Sequence, residues 1–317
     1  MNTKNPSLQP YYWILVSGFT FSWMAAFAPL AGRACPWQVV TMARCAIPLV
    51  LVAIWAKLGG AKLILWGPPV LWLRSLAGSC SLVGTFYAFG LMPITDIYTI
   101  CNIFPIWVAL LSWPILGRFP SPAVWLSIVC SIVGVAVIQG AELKSGQYGA
   151  LIIVGVSMLS AIAMMGLNRL KHLDPRAVVV HFSATAFVFC LVTFFLFPMD
   201  APKETFETRH AFELLGIGVT ASFGQYFLTR AFTSGDPAKV SVASLSQFVF
   251  ILILDVFVVG NPLNFNKLWG IPLIIGPTIW LMMQRVQPAA PVETMPKLAC
   301  EANLAVCVDS TLQGKQA

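Results

Sequence analysis

The chain has 317 residues, 58% of them hydrophobic and only 10% charged, with a mean hydropathy of +0.82. An average soluble domain carries roughly 25% charge, so this composition excludes an ordinary soluble enzyme, a nucleic-acid binder and a disordered chain. The net charge of +7 comes from 19 Lys and Arg scattered between apolar runs, and without a basic helix or arm they read as topology markers at a membrane.

A membrane-spanning helix needs about 20 mostly apolar residues. Ten stretches meet that need: 12–30, 37–56, 70–92, 95–116, 123–139, 148–167, 178–197, 213–233, 238–259 and 268–284. The first resembles a signal peptide, but the spans that follow mark it as the first transmembrane helix. Turn chemistry separates the runs, as at Gly59-Gly60, Pro68-Pro69, Pro120-Ser121-Pro122, Asp174-Pro175, Asp236-Pro237 and Asn261-Pro262. The runs are apolar all round, which predicts helices and not the alternating ~10-residue segments of a barrel. Residues 1–11 form a short N-terminal segment, and the polar tail 286–317 is expected to be disordered. With the N-terminus inside, ten Lys and Arg, Arg74 among them, fall on the inner side against five on the outer. That places both termini in the cytoplasm.

The chain repeats itself. Shifting residues 88–118 by 143 places them on 231–261 without a gap, so that Ala88-Phe89 falls on Ala231-Phe232, Leu111 on Leu254 and Gly117 on Gly260. The repeat divides the chain into 12–140 and 146–285, with five spans in each. An odd number of spans makes the second half enter the bilayer inverted. Such repeats recur among transporters, where two bundles rock about a central site. The expected fold is an all-α integral membrane protein of ten transmembrane helices in two inverted five-helix repeats.

Leu73-Arg74-Ser75-Leu76 through Phe86-Tyr87-Ala88-Phe89-Gly90-Leu91-Met92-Pro93, then Phe104-Pro105-Ile106-Trp107 to Leu116-Gly117-Arg118, resemble the EamA-type drug/metabolite transporter superfamily. The second half matches through Arg230-Ala231-Phe232, Asp236-Pro237-Ala238, Ser246-Gln247 and Val259-Gly260-Asn261-Pro262. Met42-Ala43-Arg44 resembles the family's second-helix arginine pattern. The resemblance covers about residues 12–285. It implies a ten-helix exporter or exchanger of small metabolites with both termini inside. Where the family often ends its fourth and ninth helices with Leu-Gly-Glu, this chain has Arg118 and Asn261.

An ionisable side chain within a span costs roughly 2.5 to 3.5 kcal/mol at the bilayer centre, so each needs a partner or a water-filled cavity. Arg44 lies about a third of the way along the second span, with no acidic residue in its own helix. A guanidinium forks carboxylate and phosphate, which makes Arg44 the first candidate to attract an anionic or zwitterionic metabolite. Snorkelling to headgroups or a structural ion pair is the alternative. Tyr98 and Asn102 share one face of the fourth span, and Gln247 and Asp255 one face of the ninth. The repeat relates these two spans, which points to a cavity between the halves. Gln225 and Tyr226 of the eighth span join the candidate pathway. Asp255, near the end of its span, hydrates at the interface in the alternative reading. Arg230 reads as a headgroup anchor and His181 as a satisfied interface histidine, with a proton carrier as its alternative. Gly78, Ser79, Ser81 and Gly84, and again Gly216, Gly218, Ser222 and Gly224, read as close helix packing. Pro105, Pro114, Pro272 and Pro277 are expected to bend helices around the cavity.

No catalytic, cofactor or metal site is expected. The eight Cys form no C-x-x-C and no Cys/His cluster, and most lie in apolar runs as small hydrophobes. No G-x-x-x-x-G-K-[ST] motif occurs, which argues against ATP-driven pumping by this chain. The rival reading, an intramembrane enzyme acting on a lipid-linked substrate, lacks paired carboxylates or a nucleophile with its base in any span. The expected function is secondary transport by alternating access. Expected partners are a small metabolite and the bilayer, with protons as a candidate coupling ion and a second copy as a candidate homodimer partner. Nucleic acid is excluded. The expected location is a multi-pass position in the cell membrane, the inner membrane of a bacterium.

Overall fold

The computed structural model describes residues 8–88, 91, 94–117, 119–139, 148–197, 204–257 and 268–283. Among the described residues all regular structure is helical. The helices are α1 (Gln9–Ala31), α2 (Trp37–Leu58), α3 (Pro69–Ala88), α4 (Ile94–Cys101), α5 (Phe104–Leu116), α6 (Pro122–Gln139), α7 (Tyr148–Arg169), α8 (Pro175–Leu196), α9 (Thr208–Ser234), α10 (Pro237–Ser244), α11 (Gln247–Phe257) and α12 (Gly270–Met283). Arg118, Asn261 and the tail 286–317 lie outside the described residues.

Six stretches are long and apolar enough to cross a bilayer: α1, α2, Asp96–Leu116, Gly149–Arg169, α8 and Pro237–Phe257. α6 and α12 supply shorter apolar helices. α3 and α9 are less apolar because they carry Arg74 in the first case and Arg209, His210, Glu213 and Arg230 in the second. Large apolar side chains such as Leu126, Phe195 and Phe257 are left exposed. In water such a surface drives aggregation, whereas hydrocarbon chains cover it without penalty. The chain is a multi-pass membrane protein.

Local chemistry sets the helix ends. Proline opens α3, α6, α8 and α10, where its missing N–H is needed by no carbonyl. The Asp174 carboxylate caps α8, accepting from the Arg176 N–H at 2.8 Å, and Asp236 caps α10, accepting from Ala238 N–H at 3.0 Å. Gly117 ends α5 with φ +65°, a left-handed turn that glycine adopts without strain.

The fourth and ninth spans, expected to be continuous, are each interrupted. α4 and α5 part at Asn102-Ile103, and α10 and α11 part at Leu245-Ser246. The shift of 143 carries the first break onto the second. At the first, Pro105 offers no N–H to the Cys101 carbonyl, and the Asn102 amide donates to the Tyr98 carbonyl at 2.6 Å. At the second there is no proline. The backbone tightens into i→i+3 bonds, Leu245 to Val242 at 3.1 Å and Ser246 to Ala243 at 3.2 Å, and the Ser246 hydroxyl donates to the same Ala243 carbonyl at 2.6 Å. Pro105 therefore opens α5 instead of bending a helix, and Pro272 sits in the first turn of α12. Pro114 and Pro277 do lie inside helices.

α1 packs along α9 and α3 along α7. α2 also meets α9, and α8 meets α3. α1 crosses α11 and α7 crosses α5, while α2 pairs with α8 and α6 with α12. Glycine allows the tightest of these approaches, as the small-residue stripes predict. A Cβ at Gly218 would collide with Ile47 of α2, one at Gly224 would stand 2.9 Å from the Phe21 ring of α1, and one at Gly84 would stand 2.6 Å from Val156 of α7. The Asn168 amide ties α7 to the end of α9, donating to the carbonyls of Phe232 at 3.0 Å and Gly235 at 2.9 Å.

Candidate functional site

Four helices meet at a crevice bordered by Arg44, Cys45 and Pro48 of α2, Leu82 of α3, Phe182 and Ser183 of α8, and Ala221 and Gln225 of α9. Counted from the first residue of each helix, Arg44 and Phe182 hold the same place in α2 and α8, as do Cys45 and Ser183. Leu82 and Ala221 likewise correspond in α3 and α9. The crevice thus sits where α2, α3, α8 and α9 face one another. Its free volume is about 10 Å³, room for about one water, so a metabolite does not fit in this conformation. Cys45 Sγ lies 3.8 Å from Cys190 Sγ, and both thiols are buried as part of the α2–α8 contact.

The Arg44 guanidinium carbon is 5.8 Å from the centroid of the Phe86 ring. No carboxylate lies within ion-pair distance of Arg44 among the described residues. Gln225 is buried and faces the same crevice. Its chain neighbour Tyr226 belongs elsewhere. The Tyr226 ring meets Trp55 edge-on at 4.5 Å, and its hydroxyl accepts from Arg230 Nη1 at 3.2 Å. Arg230, expected as a headgroup anchor, also stacks over Trp13 at 4.4 Å.

Tyr98 packs against the apolar cluster that holds Leu245 and Phe248, beside the second helix break. Asn102 directs its amide to the Tyr98 carbonyl at the first break. Gln247 opens α11 where that helix crosses α1, its Cα 3.3 Å from the place of a Cβ on Gly18. Asp255 is half-buried on α11. The structure thus brings Arg44 and Gln225 to one crevice, and packs Tyr98 in the cluster beside the second helix break. Tyr226 sits in a separate cation–aromatic cluster, and Gln247 and Asp255 do not border the crevice.

His181 is buried, with Nδ1 2.8 Å from the Ser75 hydroxyl and its ring edge-on to Trp72 at 4.6 Å. That is a satisfied interface histidine. Sequence reasoning missed Arg74, which it counted among the inner loop charges. Arg74 is 1% exposed on α3, and its guanidinium carbon lies 4.0 Å from the Phe182 ring centroid. Without Arg74, the side expected to be inner carries nine Lys and Arg against five. The signal was positional: Arg74 lies inside the apolar run 70–92, with Gly78 one turn further on. Among the described residues no group of three His, Cys, Asp or Glu is placed to hold a metal ion.

The EamA-like transporter family matches residues 147–283. The pseudopaline exporter CntI of Pseudomonas aeruginosa, in each of two strains, is 30% identical over 242 residues, which is 74% of this chain and 82% of that protein. The chain belongs to the EamA-type drug/metabolite transporter superfamily. A solved crystal structure of another protein superimposes with a TM-score of 0.74 at 17% identity, covering 89% of this chain and 98% of its own, and speaks for the fold alone. This EamA-type protein is a secondary transporter of small metabolites. Membership favours transport over the rival intramembrane enzyme.

Proposed function

We propose that this transporter exports a small organic anion by alternating access of two inverted five-helix repeats about the Arg44 crevice. The observation that carries the reading is a permanently charged guanidinium at a crevice between four helices, without a neighbouring carboxylate among the described residues. The outward direction takes its support from the relative that exports pseudopaline.

The repeat reading counts α4 with α5 and α10 with α11 as single spans. Exchange of the halves then maps the packing onto itself: α1 on α9 becomes α7 on α3, α2 on α9 becomes α8 on α3, and α2–α8 and α6–α12 map to themselves. The family match at 147–283 coincides with the proposed second repeat, 146–285. The nine-to-five charge balance supports cytoplasmic termini in a bacterial inner membrane.

Arg44 takes the anionic group and Gln225 offers it a hydrogen bond. Tyr98, Asn102 and Gln247 stand at the two helix breaks, where an interrupted backbone ladder gives the halves room to flex. Tyr226 lines the approach with Trp55 and Arg230, and Asp255 completes the pathway on α11. The driving force is the substrate's own gradient or the proton gradient. Transport in vesicles carrying the purified chain, with a panel of anionic, zwitterionic and cationic metabolites and with or without a proton gradient, tests the reading. Export of cations alone would overturn it.

A further inference from the structure

Arg74 heads the large, fully buried side chains among the described residues, at 1% exposed. It enters α3 five residues after Pro69, about 8 Å from that helix end at 1.5 Å per residue. Helical side chains lean toward the N-terminus, so its short way to water runs back past Pro69. Arg74 takes the opposite course. Its Nη1 lies 3.4 Å from the place of a Cβ on Gly78, one turn deeper into the span. Its own Cβ lies 3.0 Å from the corresponding place on Gly166 of α7, and the Phe182 ring covers the guanidinium at 4.0 Å. Two missing side chains and one aromatic ring thus form a slot around a cation.

The slot does not satisfy that cation. Nε and Nη1 are buried without a hydrogen-bond partner among the described residues, and no carboxylate stands within ion-pair distance there. An arginine cannot shed its proton, and a buried charge without a counter-charge is less stable than an apolar side chain of the same volume. Nε with Nη2, or Nη1 with Nη2, presents the two parallel N–H groups from which a carboxylate or phosphate accepts. Phe182, the wall of this slot, also borders the crevice at Arg44. The same ring therefore touches both cation sites.

We propose that Arg74 is a second anion-binding station for the carboxylate or phosphate group of the transported metabolite, separated from Arg44 by Phe182 in this closed conformation. The inference rests on the transport reading above.

The test is thermal unfolding of the full chain in a neutral detergent, titrated with citrate, malate or inorganic phosphate against sodium chloride of equal ionic strength. A parallel arm adds phosphatidylglycerol or phosphatidylcholine. Wild type is expected to be protected by a soluble anion in a saturable way. Arg74→Met is expected to unfold no earlier than wild type without anion, and to need roughly tenfold or more anion for half protection, the loss of a charged hydrogen-bonded contact. Arg74→Lys, which keeps the charge and loses the fork, guards against a folding failure of Arg74→Met and is expected to fall between the two. An unshifted midpoint in both variants overturns the proposal, as does the absence of protection by all three anions. Protection by phosphatidylglycerol alone assigns the slot to a lipid headgroup and also overturns it. Export by the wild-type chain is measured separately. If no metabolite is exported while protection still depends on Arg74, the transport reading fails and the anion site stands. If export proceeds with Arg74→Met at the wild-type rate per folded molecule, the station fails and the transport reading stands.

Discussion

The side-chain amide of Asn102 donates to the carbonyl of Tyr98 at 2.6 Å, and the Asn102 backbone N–H donates to that same carbonyl at 3.1 Å. One carbonyl thus closes the last turn of α4 twice, and the chain leaves the helix immediately afterwards. The break at Leu245-Ser246, 143 positions further along, reaches the same result with a serine hydroxyl on the Ala243 carbonyl. The two breaks use different residues for one backbone outcome.

Asn102→Ala removes only one of two donors to the Tyr98 carbonyl. The expected loss of stability is about 0.5–1.5 kcal/mol, read as a small fall in thermal unfolding temperature in detergent. Transport per folded molecule is expected to fall further than stability does. Equal, small losses in both would reduce Asn102 to a helix terminator.

Arg44→Lys keeps a positive charge at the crevice and loses the planar fork. Folded protein in the membrane is expected at the wild-type level, with transport per folded molecule reduced roughly tenfold, the equivalent of about 1.4 kcal/mol. Arg44→Gln is expected to be weaker still. Wild-type specific transport in both variants ends the ligand role of Arg44.

Gly218→Val places methyl groups against Ile47 of α2, where even a Cβ collides. Overpacking of this kind costs about 1–3 kcal/mol, so less folded protein is expected in the membrane. Ile47→Ala removes the opposing side chain, and the double variant is expected to recover much of the loss. A double-mutant cycle on unfolding temperature measures this coupling. Additive losses would place the conflict elsewhere.

Asp174 caps α8 outside the membrane span, and the hydrogen bond from Arg176 holds its carboxyl below the ordinary carboxylate range. Its folded pKa is therefore lower than its unfolded one. The stability it contributes is present above the unfolded value, near 3.9, and is lost as pH falls through the folded value. Asp174→Ala is expected to lower stability at neutral pH by about 1 kcal/mol, as for the loss of an N-cap. The gap between variant and wild type is expected to close only under strongly acidic conditions. Unfolding temperatures of both proteins across the acid range check the sign. A gap independent of pH would leave the cap and remove the ion pair from the account.

Composition and run length decided the class of this protein, because a chain with so little charge cannot cover itself in water and a run of about 20 apolar residues matches the thickness of a bilayer. The matching runs of the two halves and the motif order gave the family, and spacing by four put Tyr98 with Asn102 and Gln247 with Asp255 on common helix faces. Periodicity stops at the single helix. It says which residues share a face and leaves open what the face meets. Only tertiary packing put Gln225 beside Arg44 and its neighbour Tyr226 beside Trp55, since adjacent residues on a helix point about 100° apart. Only packing, too, turned Arg74 away from the nearby start of α3 and under Phe182, because the empty volume that receives it is made by Gly78 and by Gly166, 88 positions further along the chain. The breaks at Asn102 and Ser246 were equally hidden, because the competition between a side chain and the helix ladder is settled by hydrogen-bond geometry that an apolar run does not record.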